Sequence, residues 1–209
     1  MFASLKIWTL CAVLALSASS NAYSAPKTVL VLGDSLSAEY GLNRGSGWVA
    51  LLEQKLKTEH IDALVVNASI SGETTSGGRS RLPALMERHH PGIVVIELGA
   101  NDGLRGQPVA AAEANLRAML ELAATNKARV LLVGMRMPPN YGRDYTERFF
   151  SMYKDLSVKY KAQLVPFMLE GVADKPALFQ ADRLHPSAEA HPIILANIWP
   201  AFAPLVKTR

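Results

Sequence analysis

Short apolar runs rich in β-branched residues recur along the chain at positions 28–32, 63–66, 93–98 and 130–133, with a weaker one at 164–167. Their length and composition predict strands. Between them lie segments with helical spacing of apolar residues, at 48–56, 82–88, 110–124 and 145–160, and the tail 187–206 ends the chain. Strand and helix therefore alternate. Parallel neighbours need crossover connections and each sheet face needs a cover, so the alternation predicts an α/β domain, a mostly parallel sheet with helices on both faces. No internal repeat, linker or low-complexity tract interrupts it.

Polar and glycine-rich segments occupy the ends of these strands. Gly33-Asp34-Ser35-Leu36-Ser37, Asn67-Ala68-Ser69-Ile70-Ser71-Gly72-Glu73-Thr74 and Gly99-Ala100-Asn101-Asp102-Gly103 each follow a strand directly. In an open parallel sheet the ligand site lies outside the carboxyl ends of the strands, so the three loops are expected to meet at one crevice.

The first 25 residues break the pattern. Lys6 is their only charge, residues 7–18 form an apolar run, and small residues follow through Ala25. This is the layout of a secretory signal peptide, cleaved after Ala22 or Ala25, which leaves residues 26–209 as a single domain. The run is too short to span a bilayer comfortably, so an exported protein, periplasmic or secreted, is expected rather than an anchored one. Cys11, the only cysteine, lies within that run. A mature chain without cysteine has no disulfide, no thiol chemistry and no cysteine-ligated metal; its core alone must hold it, and 49% apolar residues are enough for that. The formal charge of +4 is scattered, and Arg79-Ser80-Arg81 is its densest spot. A nucleic-acid partner has no support, and the charge offers at most a weak, transient attraction to anionic surfaces. A monomer is expected.

Ser35 sits on a tight strand-to-turn segment where glycine permits close approach, and a helix expected to follow it would favour developing negative charge. It can be a nucleophile, a helix cap, or part of a phosphate cradle. A serine hydroxyl needs a base. Of the five histidines, His60, His89 and His90 fall at helix ends and His191 in the tail, whereas His185 keeps the company of Asp182-Arg183-Leu184-His185-Pro186. There a three-residue offset can bring the carboxylate beside the ring, fixing its tautomer; an ordinary helix-entry turn is the alternative. Acyl chemistry also needs donors for an oxyanion, and the loops offer the backbone N–H of Ser35, the backbone N–H of Gly72 and the side-chain amide of Asn101. Each alone is also a common turn or cap residue; the joint occurrence, each after a strand, is what argues for a site.

These four blocks resemble those of the SGNH (GDSL-type) hydrolases, over nearly the whole mature chain. Val66-Asn67-Ala68-Ser69-Ile70-Ser71-Gly72, Asn101-Asp102-Gly103-Leu104-Arg105-Gly106 and Pro139-Asn140-Tyr141-Gly142 are similar to one branch, the exported bacterial acyl hydrolases described as thioesterase, arylesterase and lysophospholipase. The resemblance implies a flavodoxin-like three-layer α/β/α sandwich on a five-stranded parallel sheet. It implies Ser35 as nucleophile, His185 as base, Asp182 as its partner, and Ser35, Gly72 and Asn101 as oxyanion donors. Small acyl-ester, thioester or lysophospholipid substrates are expected, with no cofactor and no metal. Leu104, Met137, Pro139 and Tyr141 are candidates for the wall of an acyl groove, against core packing. Arg183 is a departure, since this branch often carries glycine between the acid and the histidine. Asp102 and Asp34 are expected to brace their loops rather than to react. Two other readings are a carbohydrate or peptidoglycan O-deacetylase, which the branch-specific motifs disfavour, and a non-catalytic anion-binding module, which needs neither His185 nor Asn101.

Overall fold

The computed structural model describes residues 27–207, so the segment read as a signal peptide, Cys11 included, lies outside the described residues. Five strands, β1 (Lys27–Gly33), β2 (Ala63–Asn67), β3 (Ile93–Glu97), β4 (Arg129–Val133) and β5 (Gln163–Val165), form one parallel sheet in the order β2-β1-β3-β4-β5. The helices are α1 (Trp48–Thr58), α2 (Thr75–His89), α3 (Ala100–Leu104), α4 (Val109–Thr125), α5 (Arg143–Tyr160) and α6 (His191–Lys207).

Strand order decides which face each helix covers. The step from β1 to β2 runs one way across the sheet, and the steps from β2 to β3, β4 and β5 run the other. Right-handed crossovers in opposite directions place their helices on opposite faces. Thus α2, α4 and α5 pack in series on one face, and α1 pairs with α6 on the other. Both faces are therefore sealed: Val29 to Leu32 of β1 and Ile93 to Ile96 of β3 are fully buried. The expected three-layer, flavodoxin-like sandwich is what forms, and its strand order reverses between β1 and β3, where ligands bind in such sheets.

Three local expectations differ from the structure. No helix follows Ser35 directly: the chain runs through successive turns until Trp48, because Glu39 adopts a left-handed conformation (φ 58°) and its carboxylate accepts the N–H groups of Gly45 and Gly47. Helix α2 starts at Thr75, well before position 82. Thr74 caps it by accepting the Gly77 N–H, the Thr75 N–H is taken by the Asp102 carboxylate at 2.9 Å, and Gly78 lets the helix approach Leu98 where a β-carbon would lie 2.3 Å from that side chain. Strand β5 ends at Val165, since Pro166 has no N–H to give the ladder.

The end of β4 depends on a backbone crossing. The Gly134 N–H donates to Val165 O at 2.7 Å, its carbonyl accepts from Met168, and a β-carbon on Gly134 would meet Pro166 O at 2.4 Å. That oxygen belongs to the backbone and cannot swing aside. Gly134→Ala is expected to lower stability by about 2 kcal/mol or more, read as a fall in the urea midpoint at unchanged slope.

Candidate active site

The turn after β1 is organised by Asp34. Its Oδ1 accepts the Leu36 N–H at 3.0 Å, and its carbonyl accepts those of Ser37 and Ala38, which presents Ser35 half-buried at the top of the sheet. Ser37 turns inward instead, donating to Glu97 Oε2 at 2.6 Å and accepting from Trp48 Nε1 at 3.2 Å. Neither serine caps a helix.

The histidine arrives from the far end of the chain. Asp182 Oδ1 accepts the N–H groups of Leu184 (2.9 Å) and His185 (3.0 Å), while its Oδ2 lies 2.6 Å from His185 Nδ1. These bonds, the backbone one from His185 foremost, hold the Asp182 carboxyl down at about 2, so it stays ionised across the working range of a hydrolase. His185 Nε2 stands 3.0 Å from Ser35 Oγ. The turn is completed by Arg183 at φ 57°, a conformation that suits glycine and costs another residue about 1 kcal/mol.

Gly72 also has positive φ (79°), and its carbonyl accepts from Arg105 at 3.1 Å. The N–H groups of Ser35 and Gly72 donate to no acceptor among the described residues. Asn101 stands on the first turn of α3, where its amide donates to Asp34 Oδ2 and to Glu73 O, both at 3.0 Å. Asp102, next to it, faces away into the buried bonds with Thr75 and braces α3 against α2.

A cavity of about 720 Å³ opens over these groups. Ser35, Gly72, Asn101 and His185 line it, as do Leu104, Met137 and Pro139. Tyr141 does not: its hydroxyl donates to Leu104 O at 2.8 Å and its ring stacks on Tyr145, so it props the wall from behind. Phe167, Leu169 and Phe179 supply apolar lining that the pattern along the chain does not single out. Tyr40, whose ring lies 4.3 Å from that of His185, is likewise unannounced in sequence.

Glu97 is the other unannounced residue. It closes an otherwise apolar buried strand, and a lone carboxylate in such a run just before a glycine turn was the available signal. Burial, then the charge of Asp34, pushes its carboxyl well above the usual value. Burial raises Asp34 too, to about 6. Two acids in one dry space thus favour the protonated form, and their titrations are linked.

Fold and site together are those of an ester hydrolase of the SGNH type. Comparisons with known proteins agree: the family described as GDSL-like Lipase/Acylhydrolase matches residues 31–193. The chain belongs to that family. It is 49% identical over 183 residues to "Esterase TesA" of Pseudomonas aeruginosa, covering 88% of this chain and 91% of the relative. It is 43% identical over 183 residues to "Thioesterase 1/protease 1/lysophospholipase L1" of Escherichia coli, covering 88% and 86%. Among solved structures, TesA superposes with a TM-score of 0.84 at 50% identity (86% of this chain, 99% of the other). The psychrotrophic esterase EstA of Pseudoalteromonas sp. gives 0.82 at 42% (87% and 100%).

The buried acids set a pH dependence. Glu97 keeps its proton in the fold but loses it in the unfolded chain above its ordinary value of 4.5, so folding takes up a proton and stability falls as pH rises past that point. Asp34 adds a loss of the same sign between 3.8 and about 6. Glu97→Gln has no proton to take up, so its stability relative to wild type should climb between about pH 5 and pH 8. Urea denaturation at both values checks this; a constant difference would refute it.

Proposed function

We propose that Ser35, His185 and Asp182 act as one catalytic unit that hydrolyses carboxylic esters and thioesters of acyl substrates, lysophospholipids among them, through a covalent acyl-enzyme. The reading is carried by the continuous chain of hydrogen bonds from Asp182 through His185 to Ser35, set at the floor of an apolar cavity. His185 Nε2 takes the Ser35 proton as Oγ bonds to the acyl carbon, and the carbonyl electrons move onto oxygen. The resulting oxyanion accepts from the N–H groups of Ser35 and Gly72 and from the Asn101 amide, which shares a hydrogen otherwise given to Asp34 or Glu73. On collapse the bond to the leaving oxygen or sulfur breaks, and that atom receives the proton from His185. Water, deprotonated by the same nitrogen, then frees the acid and regenerates Ser35.

The acyl chain is assigned to the cavity walled by Leu104, Met137 and Pro139. Its size and apolar lining favour medium or long chains over acetyl groups, and so an acyl hydrolase over an O-deacetylase. A binding module would have no use for an aligned imidazole. Export is proposed from Lys6 and the apolar run that follows it, and the names of the bacterial relatives support thioester and lysophospholipid substrates.

Hydrolysis of p-nitrophenyl esters from acetyl to palmitoyl is expected to extend to medium or long chains, and Ser35→Ala should lower kcat/KM by roughly a thousandfold or more while remaining folded. Asn101→Ala should cost roughly a hundred- to a thousandfold in kcat. Losses in Ser35, His185 and Asp182 variants should not add. A Ser35→Ala enzyme that kept most of its rate would end this reading.

A further inference from the structure

The leaving group and the acyl chain lie on different sides of Ser35. An ester under attack must present its leaving oxygen to His185 Nε2, because that nitrogen returns the proton; whatever the oxygen carries extends past the imidazole. Tyr40, 49% exposed, lies against the ring there, and Leu184, 48% exposed, and Arg183 line the same cavity on the turn that precedes His185. Arg183 lines both the catalytic cavity and a second concavity, which shares Ala173 and Phe179 with the first and continues along Pro176, Ala177 and Gln180.

Its guanidinium makes no hydrogen bond, ion pair or ring contact with any described residue. The other arginines nearby are engaged: Arg136 lies over Phe150 at 4.2 Å and Phe167 at 5.2 Å, and Arg105 donates to Gly72 O. Asp182, the adjacent carboxylate, is taken up by His185 and two backbone N–H groups. A cation with no anion of its own therefore borders the path of the leaving group. It does so at a left-handed position (φ 57°) where glycine would be relaxed. Guanidinium forks match phosphate oxygens in geometry and charge.

The geometry points to a leaving-group subsite in which Arg183 binds a phosphate carried by the departing alcohol or thiol. This rests on the serine-esterase reading above and adds a selectivity to it. Two sources share the chemistry: the phosphate of a glycerophospholipid head group and the phosphates of a coenzyme A thioester.

The test uses three substrates with the same octanoyl chain: neutral monoacylglycerol, its glycerol phosphate counterpart, and octanoyl coenzyme A. The ratio of kcat/KM for each phosphate-bearing substrate to that for monoacylglycerol is measured in wild type, Arg183→Gln and Arg183→Lys, at low and high salt. The expected result is a ratio about fivefold lower in Arg183→Gln, largely kept in Arg183→Lys, and salt-sensitive in wild type and Arg183→Lys but not in Arg183→Gln. A fall for the glycerol phosphate ester alone assigns the subsite to head groups; a fall for the thioester alone assigns it to coenzyme A. Arg183→Gly removes the charge with a residue suited to the backbone, and serves if the Gln variant folds poorly. Ratios unchanged by loss of the charge, in an active enzyme, overturn the subsite and leave the serine mechanism standing. A wild type that hydrolyses none of the three overturns both.

Discussion

The site depends on the parallel pairing of β1 with β3. Its register sets Gly33 opposite Glu97, so the two chains leave the sheet side by side, one into the Ser35 turn and the other into the turn that carries Asn101. Gly33 matters because a β-carbon there would lie 2.8 Å from Glu97 Oε2, and the carboxyl would lose its place beneath the turn. A slip of one residue would send every side chain of the strand to the opposite face, and with it the inward and outward alternation that separates Ser35 from its neighbours. Helices on both faces make such a slip prohibitive, since Val29 to Leu32 are buried on either side.

On that pairing rests an arrangement of carboxyls that stability alone would not favour. Asp34 and Glu97 are both buried, and keeping a charge in so dry a place opposes folding. What the pair contributes is position. Asp34 holds the peptide of Leu36 with one oxygen and the amide of Asn101 with the other, so the loop of the proposed nucleophile and the side chain of a proposed oxyanion donor are tied to the same group. Glu97 fixes Ser37 and, through it, the indole of Trp48, which anchors the start of α1. The proposed machinery is thus supported from below by a hydrogen-bonded layer.

Much of this was legible in the chain because it is written locally. Five short apolar runs, the first three each followed by a polar loop, lead to the parallel sheet and to the crevice at its carboxyl edge, and Asp182-x-x-His185 stands apart from the other histidines by spacing alone. What could not be read depends on distant contacts. The start of α2, ahead of position 82, becomes clear only when Leu98 and Asp102 are seen to receive its first turns. The helix expected after Ser35 is cancelled by Glu39, whose carboxylate closes a loop onto Gly45 and Gly47. Tyr141 reads as a wall residue, yet its hydroxyl turns to Leu104 O. Glu97 is hidden by the apolar residues around it.

Gln180 makes one more connection. Its side-chain amide donates to Tyr40 O at 2.8 Å and to Pro186 O at 3.0 Å, stapling the segment after Ser35 to the segment after His185. Ser35 and His185 stand 150 positions apart in sequence, and the turn that carries the imidazole lies beyond β5. Their encounter is therefore among the most non-local contacts in the molecule, one that requires all five strands to be in register and the final turn to be stapled down. With Ser35 and His185 as the proposed catalytic pair, the appearance of hydrolytic activity marks the completion of folding rather than its onset, and a partly folded chain would be unable to attack the esters it met.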